Sequence, residues 1–100
     1  MSEARIEWTR TAEADVLRCQ RFLIEQDLDA AIRAAAGIRA AAEQLLAHPA
    51  LGKAATPNPQ YRNLIVPFGQ NGNLIRYRVV KAPNTLIRIT RVWHSREHQI

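Results

Sequence analysis

The residues best suited to chemistry are one histidine and several arginines in the second half of the chain. Histidine changes charge near neutral pH, so His94 is a candidate general acid or base. Arg62, Arg78 and Arg91 carry guanidinium groups, which bind phosphate through paired hydrogen bonds. Metal-free RNA cleavage needs a base, an acid and cations for the phosphorane charge, and His94 with Arg62, Arg78 and Arg91 is a minimal set for it. Within this set, Arg62, Arg78 and His94 are the candidate catalytic residues. His94 has a second, structural interpretation, as a histidine that ends a strand and bonds to the backbone.

The sequence does not carry the motifs of other common catalytic classes. It contains no glycine-rich phosphate loop, no Cys/His metal spacing and no serine-centred nucleophile motif. His94 and His98 are four residues apart, but this spacing brings ligands together on a helix and not on a strand. We therefore expect neither a metal nor a cofactor. Cys19 lies on a predicted apolar helix face with no His or Lys beside it, which predicts a small core residue.

The charge is unevenly distributed along the 100 residues. Twelve of the fourteen basic residues are Arg, and the formal net charge is +5. Residues 1–50 carry a net charge of −2, whereas residues 51–100 carry +7. The second half is therefore expected to attract an acidic partner, either protein or nucleic acid. The alternative is a solvated basic surface without a specific partner.

The length of the chain and its apolar content limit the classes of protein to which it can belong. A chain of 100 residues, 47% of them hydrophobic, fits a single domain over residues 1–100. No apolar run approaches the ~20 residues that span a bilayer, and the N-terminus lacks the apolar stretch of a signal peptide. A single cysteine suits a reducing compartment. We expect a cytoplasmic protein with no membrane partner.

The first half predicts a strand followed by two helices. Residues 4–8 alternate in polarity, as a half-buried strand does. Thr9 or Thr11 is the expected N-cap of the first helix, and Asp27 or Asp29 that of the second, over residues 30–47. Gly37 costs helix stability, and close backbone contact with a neighbour is the expected reason. The apolar face of the first helix is Ala12, Val16, Cys19 and Leu23, and that of the second is Ala31, Ala34, Ile38, Ala41 and Leu45.

The second half has the period-two pattern of an antiparallel sheet. Strands are predicted over residues 61–68, around 75–79 and over 86–94, with Asn71-Gly72 and residues 82–84 as turns. Tyr77 falls in phase with Ile75 and Val79 and is expected in the core, whereas the phase of Trp93 is not determined. The order β-α-α-β-β-β predicts an α+β fold with a helical hairpin on one face of the sheet. The opposite face is expected to collect Arg76, Arg78 and Arg88.

A series of short motifs along almost the whole chain resembles the ParE/RelE superfamily of type II toxin–antitoxin toxins. Two motifs resemble the ParE branch in particular: Arg91-Val92-Trp93-His94, and the combination of Pro49, Gly52 and Lys53. In order, the motifs are WTRTAEADV (8–16), LDAA (28–31), HPALGK (48–53), YRNL (61–64), IRYRV (75–79) and IRITRVWHSRE (87–97). The fold implied by this resemblance, a helical hairpin on a twisted antiparallel sheet, agrees with the pattern above.

The resemblance implies a toxin that is neutralised by a cognate acidic antitoxin. ParE-like members imply inhibition of DNA gyrase by binding, whereas RelE-like members imply ribosome-dependent mRNA cleavage. This sequence departs from the RelE-like pattern, which implies several lysines in this region and a C-terminal tyrosine: the loop and second helix contain only Lys53, and no tyrosine follows Tyr77. Gyrase binding is therefore the favoured prediction. A basic binding module without toxicity is a third interpretation. The expected antitoxin- or target-binding residues are Arg76, Arg78, Arg88, Arg91, Trp93, His94 and Arg96.

Overall fold

The computed structural model describes residues 4–68, 71–81 and 84–94. Within them the chain forms two helices and five strands. In chain order these are β1 (Arg5–Trp8), α1 (Arg10–Ile24), α2 (Leu28–Ala47), β2 (Lys53–Ala54), β3 (Tyr61–Phe68), β4 (Asn71–Val80) and β5 (Leu86–His94).

The strands form one mixed sheet in the order β1-β5-β4-β3-β2, and the two helices pack on one of its faces. This confirms the predicted α+β fold. Two features were not predicted: β1 pairs in parallel with β5, and the short β2 adds an antiparallel edge beside β3. Period-two alternation marks a strand but carries no information about its direction, and a strand of two residues is too short to show a period.

Both helices begin at a side-chain cap. The Thr9 hydroxyl accepts a hydrogen bond from the Ala12 N–H at 3.1 Å, and the Asp27 carboxylate accepts one from the Ala30 N–H at 3.2 Å. Since Asp27 is the cap, α2 starts at Leu28, earlier than the predicted residue 30. No helix in the described ranges is long and apolar enough to cross a bilayer.

The core lies between the helical hairpin and the sheet. Cys19 and Tyr77 are both buried in it, which confirms their prediction as core residues. In α2 the predicted Ala41 is half-buried and packs against this core, and Ala42, which was not predicted, is buried in it. The core cluster consists of Ala12, Val16, Cys19, Ile38, Ala42, Leu45, Val66, Ile75, Tyr77, Ile87, Ile89 and Val92.

Two glycine predictions were wrong. An ideal Cβ on Gly37 has no atom within 4 Å, so close contact does not explain a glycine there. Asn71 and Gly72 lie inside β4, paired with Phe68 and Pro67, so the β3–β4 connection is at residues 69–70, outside the described residues. Gly72 is required for a different reason, because a Cβ there would lie 2.9 Å from the Val66 carbonyl oxygen. Of the predicted turn at 82–84, residues 82 and 83 also lie outside the described residues.

Candidate functional site

The face of the sheet opposite the helices, called here the outer face, carries a group of arginines. Ile75 and Tyr77 of β4 point into the core, so the alternate residues Arg76 and Arg78 point away from it. The strand register sets Arg78 opposite Arg88 and Arg76 opposite Arg91. The sheet thus brings Arg76, Arg78 and Arg88 together on this face and adds Arg91 to them.

A β-bulge at Thr90 determines which residues of β5 reach the outer face. The register passes from Tyr77 opposite Ile89 to Arg76 opposite Arg91, so Thr90 has no direct partner, and its hydroxyl donates to the Arg76 carbonyl at 3.1 Å. One extra residue reverses the alternation of the strand. Ile89 and Val92 therefore both reach the core although they are three positions apart, an odd spacing that unbroken alternation would place on opposite faces. This reversal explains why the phase of Trp93 could not be predicted from the sequence.

Trp93 lies between two of the outer-face arginines. The guanidinium carbon of Arg76 is 5.0 Å from the centroid of the Trp93 ring, and that of Arg91 is 4.8 Å from it. Both distances fall within the range of a cation–π interaction. The half-buried indole therefore keeps two positive charges close together, and it contributes aromatic surface of its own.

The outer-face arginines differ in whether a nearby carboxylate balances their positive charge. Arg88 forms an ion pair with Glu7 of β1 at 2.7 Å, and Arg91 forms one with Asp15 of α1 at 2.8 Å. Arg76 donates from Nε to the neutral side chain of Asn63 at 3.0 Å. Arg78 is exposed. The face therefore keeps a net positive charge, concentrated at Arg76 and Arg78.

Asp15 is the residue that the sequence analysis missed. It is 2% exposed and accepts hydrogen bonds from Arg91 Nε, Arg18 Nη1 and the Val92 N–H at 2.9 Å. Burial alone would raise the pKa of the Asp15 carboxyl, but the bonds from Arg91, Val92 and Arg18 together hold it below its usual range. A signal was present, because Asp15 follows Ala12 by three and precedes Cys19 by four, within the apolar face.

Asp15 and Arg18 also close the edge of β5. Strand β1 pairs with β5 only as far as Ile89, so the backbone of the following residues faces α1 instead of a strand. The Thr9 N–H donates to the Ile89 carbonyl at 3.1 Å. Further along, Asp15 accepts from the Val92 N–H, and Arg18 Nη2 donates to the Val92 carbonyl at 3.1 Å. The helix side chains thus satisfy backbone groups that a neighbouring strand would otherwise pair.

Tyr77 and Arg62 hold the loop that contains Pro49 and Gly52. The Tyr77 hydroxyl donates to the Pro49 carbonyl at 2.7 Å and accepts from the Gly52 N–H at 2.8 Å. Arg62 Nη1 donates to the Gly52 carbonyl at 2.7 Å. Burial raises the pKa of Tyr77, although the Gly52 N–H and the charge of Arg62 oppose the shift. The Pro49–Gly52 motif therefore has a structural role in this chain.

The candidate nuclease residues do not come together. Arg62 lies opposite Tyr77 on the helix side of the sheet, and its guanidinium is bound to the loop. Arg78 lies on the outer face. His94 is 4% exposed, and its ring centroid is 5.3 Å from that of Phe22 in α1. His94 pairs with Asn73, five residues from Arg78 along β4, so about 17 Å separates the two positions along the strand.

Two further expectations concern the C-terminal tail and metals. Arg96, an expected contact residue, and His98 lie outside the described residues. Among residues 4–68, 71–81 and 84–94, no three His, Cys, Asp or Glu side chains are grouped so as to hold a metal ion.

Comparison with known proteins gives consistent matches. The family model "ParE toxin of type II toxin-antitoxin system, parDE" matches residues 6–99. Toxin RelE1 of Caulobacter vibrioides is 33% identical over 88 residues, which cover 88% of this chain and 89% of the relative. Toxin RelE3 of the same organism is 36% identical over 88 residues, covering 88% and 90%. A structure described as the chromosomal ParDE TA system from P. aeruginosa has a TM-score of 0.71 at 21% identity, covering 92% of this chain and 96% of that one. This last likeness shows the fold.

Proposed function

This chain belongs to the ParE toxin family and is the toxin of a type II toxin–antitoxin system, and we propose that it acts in the cytoplasm by binding DNA gyrase. We propose further that an acidic cognate antitoxin neutralises it by covering the outer face. The observation that carries both proposals is the group of Arg76, Arg78, Arg88, Arg91 and Trp93 on one exposed sheet surface.

The outer face has the character of a protein-binding surface. Arginine and tryptophan are enriched among residues that contribute most to protein interfaces. Here Trp93 lies between Arg76 and Arg91, and the Nε atoms of both arginines are bonded within the chain. Side chains that are already positioned lose less conformational entropy when a partner docks. These features support binding to gyrase through this face.

The arrangement of the nuclease candidates supports binding over catalysis. General acid–base catalysis needs the reacting groups within hydrogen-bond reach of one substrate. Arg62 is engaged with the Gly52 carbonyl on the helix side, while Arg78 lies on the outer face. His94 is buried against Phe22 at the far end of β4 and β5. We propose on this basis that the protein has no catalytic residues of its own.

The expected antitoxin is an acidic segment that becomes ordered on the toxin. Such segments dock as amphipathic helices, and their carboxylates would meet the guanidinium groups of Arg76 and Arg78. Arg76→Glu combined with Arg78→Glu should weaken the complex with the co-purified antitoxin at least about tenfold, because two attractive contacts become repulsive. Arg21→Glu combined with Arg33→Glu is the matched control, since both residues are exposed on the helices. Equal affinity of the two double variants by calorimetry would refute antitoxin docking on this face.

The choice of target is tested with two purified systems. The protein is added to gyrase acting on relaxed plasmid, and separately to ribosomes translating a defined mRNA. Loss of supercoiling with intact mRNA is the expected result. Arg76→Glu/Arg78→Glu should abolish the inhibition, and Arg21→Glu/Arg33→Glu should retain it. Unimpaired supercoiling at an excess of toxin would refute gyrase as the target.

Ribosome-dependent mRNA cleavage is the second candidate, and the relatives named as RelE toxins favour it. The candidate residues for this activity are Arg62, Arg78 and His94. Cut mRNA with unaffected gyrase would support this candidate, and His94→Ala should then remove the cleavage. If neither gyrase nor mRNA is affected and growth is normal, the chain is a basic binding module without toxicity.

A further inference from the structure

A cleft of about 480 Å³ opens on the outer face between the start of α1 and the segment that precedes β3. Arg76 and Arg91 line it, together with the hydroxyls of Thr9, Thr11 and Thr90. Asn58 and Tyr61 complete the lining on the side of β3. The described residues of this lining include no carboxylate, so the cleft concentrates positive charge and hydrogen-bond donors.

The donors that remain available in the cleft can be identified one by one. The Thr9 hydroxyl donates its proton to the Thr90 carbonyl, and the Thr90 hydroxyl donates to the Arg76 carbonyl. These two side chains therefore shape the wall and cannot donate to a ligand. The hydroxyls of Thr11 and Tyr61, the side-chain amide of Asn58 and the two guanidinium groups provide the remaining donors.

The two guanidinium groups are held in place by hydrogen bonds within the chain. Arg76 Nε donates to Asn63 at 3.0 Å, whereas Arg91 donates to Asp15 from Nε at 2.8 Å and from Nη2 at 3.4 Å. The terminal nitrogens of Arg76 make no bond among the described residues, so they can bind a ligand in the cleft. Asp15 offsets part of the charge of Arg91, whereas Asn63 leaves the charge of Arg76 intact. Arg76 is therefore the principal anion-binding residue.

We propose that this cleft binds a phosphate group, supplied either by a nucleotide or by a nucleic-acid backbone. A phosphate presents several acceptor oxygens in different directions and matches donors that converge from both walls, and arginine pairs with it through two parallel bonds. The volume lies within the range of sites for small organic ligands. Tyr61 adds an aromatic side chain on the β3 side, where a base can stack.

The test is titration calorimetry of the purified protein with inorganic phosphate, thymidine 5′-monophosphate and a 12-nucleotide oligothymidylate. We expect saturable binding, and Arg76→Gln should weaken it about tenfold or more because a charge-assisted contact is lost. Arg78→Gln is the matched control, because it removes the same charge from the same strand and face outside the cleft, and should change affinity less than about twofold. Tyr61→Phe should weaken binding by a smaller factor, and it provides a second test if Arg76→Gln does not fold.

The probe that binds most tightly identifies the source of the phosphate. Tighter binding of the monophosphate indicates a nucleotide, and tighter binding of the oligonucleotide indicates a nucleic-acid backbone. No saturable binding of any probe, or equal weakening by Arg76→Gln and Arg78→Gln, would overturn the proposal. Neither gyrase nor antitoxin is present in this assay, so its failure would leave the proposed function untouched.

Discussion

Replacing Asp15 by alanine tests whether the buried carboxylate organises the contact between α1 and β5. The substitution removes one acceptor from three donors: Arg91, Arg18 and the Val92 backbone N–H. It adds no bulk and preserves the helical backbone, since alanine is the best helix former. Any loss of stability therefore reports on the polar contacts of Asp15.

The size of the effect depends on what the three donors can do afterwards. The Arg18 and Arg91 side chains are each 41% exposed, so water can replace much of what they lose. Val92 is 0% exposed, and its N–H has no such replacement, which costs ~1–3 kcal/mol. Together with the partial loss at the two arginines, we expect the free energy of unfolding to fall by about 2–4 kcal/mol. This is a large share of the ~5–15 kcal/mol typical of a domain.

The assay is urea unfolding at pH 7, followed by tryptophan fluorescence and circular dichroism. Glu7→Ala is the matched control, because it also removes a carboxylate that binds an arginine, but that ion pair is exposed and should be worth less than about 1 kcal/mol. An Asp15→Ala loss no larger than the Glu7→Ala loss would refute a structural role for the buried carboxylate.

The pH dependence gives an independent check on the same residue. The pKa of Asp15 is lower in the folded than in the unfolded chain, so its contribution is present above the unfolded value of ~3.9 and is lost as the pH falls through the folded value. The difference between wild type and Asp15→Ala should therefore shrink in acid. A difference that stays constant from pH 7 to pH 2.5 would contradict this sign.

The remaining predictions concern glycines and the buried tyrosine. Gly37→Ala should raise the free energy of unfolding by ~0.5–1 kcal/mol, since the new methyl group meets no atom within 4 Å, and an unchanged urea midpoint would contradict this. Gly52→Ala should lower the free energy of unfolding by ~1–3 kcal/mol, because a Cβ there lies 2.8 Å from both the Asn63 carbonyl oxygen and the Tyr77 ring. A loss of stability as small as that caused by Ala50→Gly would argue against this close approach. Tyr77→Phe should cost ~1–3 kcal/mol by leaving the Pro49 carbonyl and the Gly52 N–H without this partner. The raised pKa of Tyr77 means that its contribution is present below ~10 and is lost as the pH rises through the folded value, so the variant should lack the alkaline loss of stability that wild type shows.

Much of the fold could be predicted because local pattern and burial agree. The spacing of Val16 and Cys19 in α1, and of Ile75 and Tyr77 in β4, marks the residues that the structure buries. The side-chain caps at Thr9 and Asp27 were also among the predicted choices. In these segments a single period determines which side chains face the core, so the sequence contains the necessary information.

The parts that could not be predicted depend on contacts between distant segments. Asp15 was missed because its partners Arg91 and Val92 are more than 70 residues away along the chain. Gly37 was predicted to lie in close backbone contact with a neighbouring element, and the sequence alone could not show that the space beside it is open. The pairing of β1 with β5 likewise joins two segments that are distant along the chain. The periodicity within either strand does not indicate which strand it will pair with.

The bulge at Thr90 connects the fold to the candidate site. With unbroken alternation after Ile89, Arg91 would enter the core and Val92 would face outward. The extra residue instead directs Val92 inward, where its backbone meets Asp15, and directs Arg91 and Trp93 outward, beside Arg76. The same local irregularity therefore completes the core, supplies the edge that α1 closes, and assembles the arginine–tryptophan surface. A change that straightens β5 has to damage stability and binding together, whereas Arg78, which takes no part in these contacts, can be altered for its charge alone.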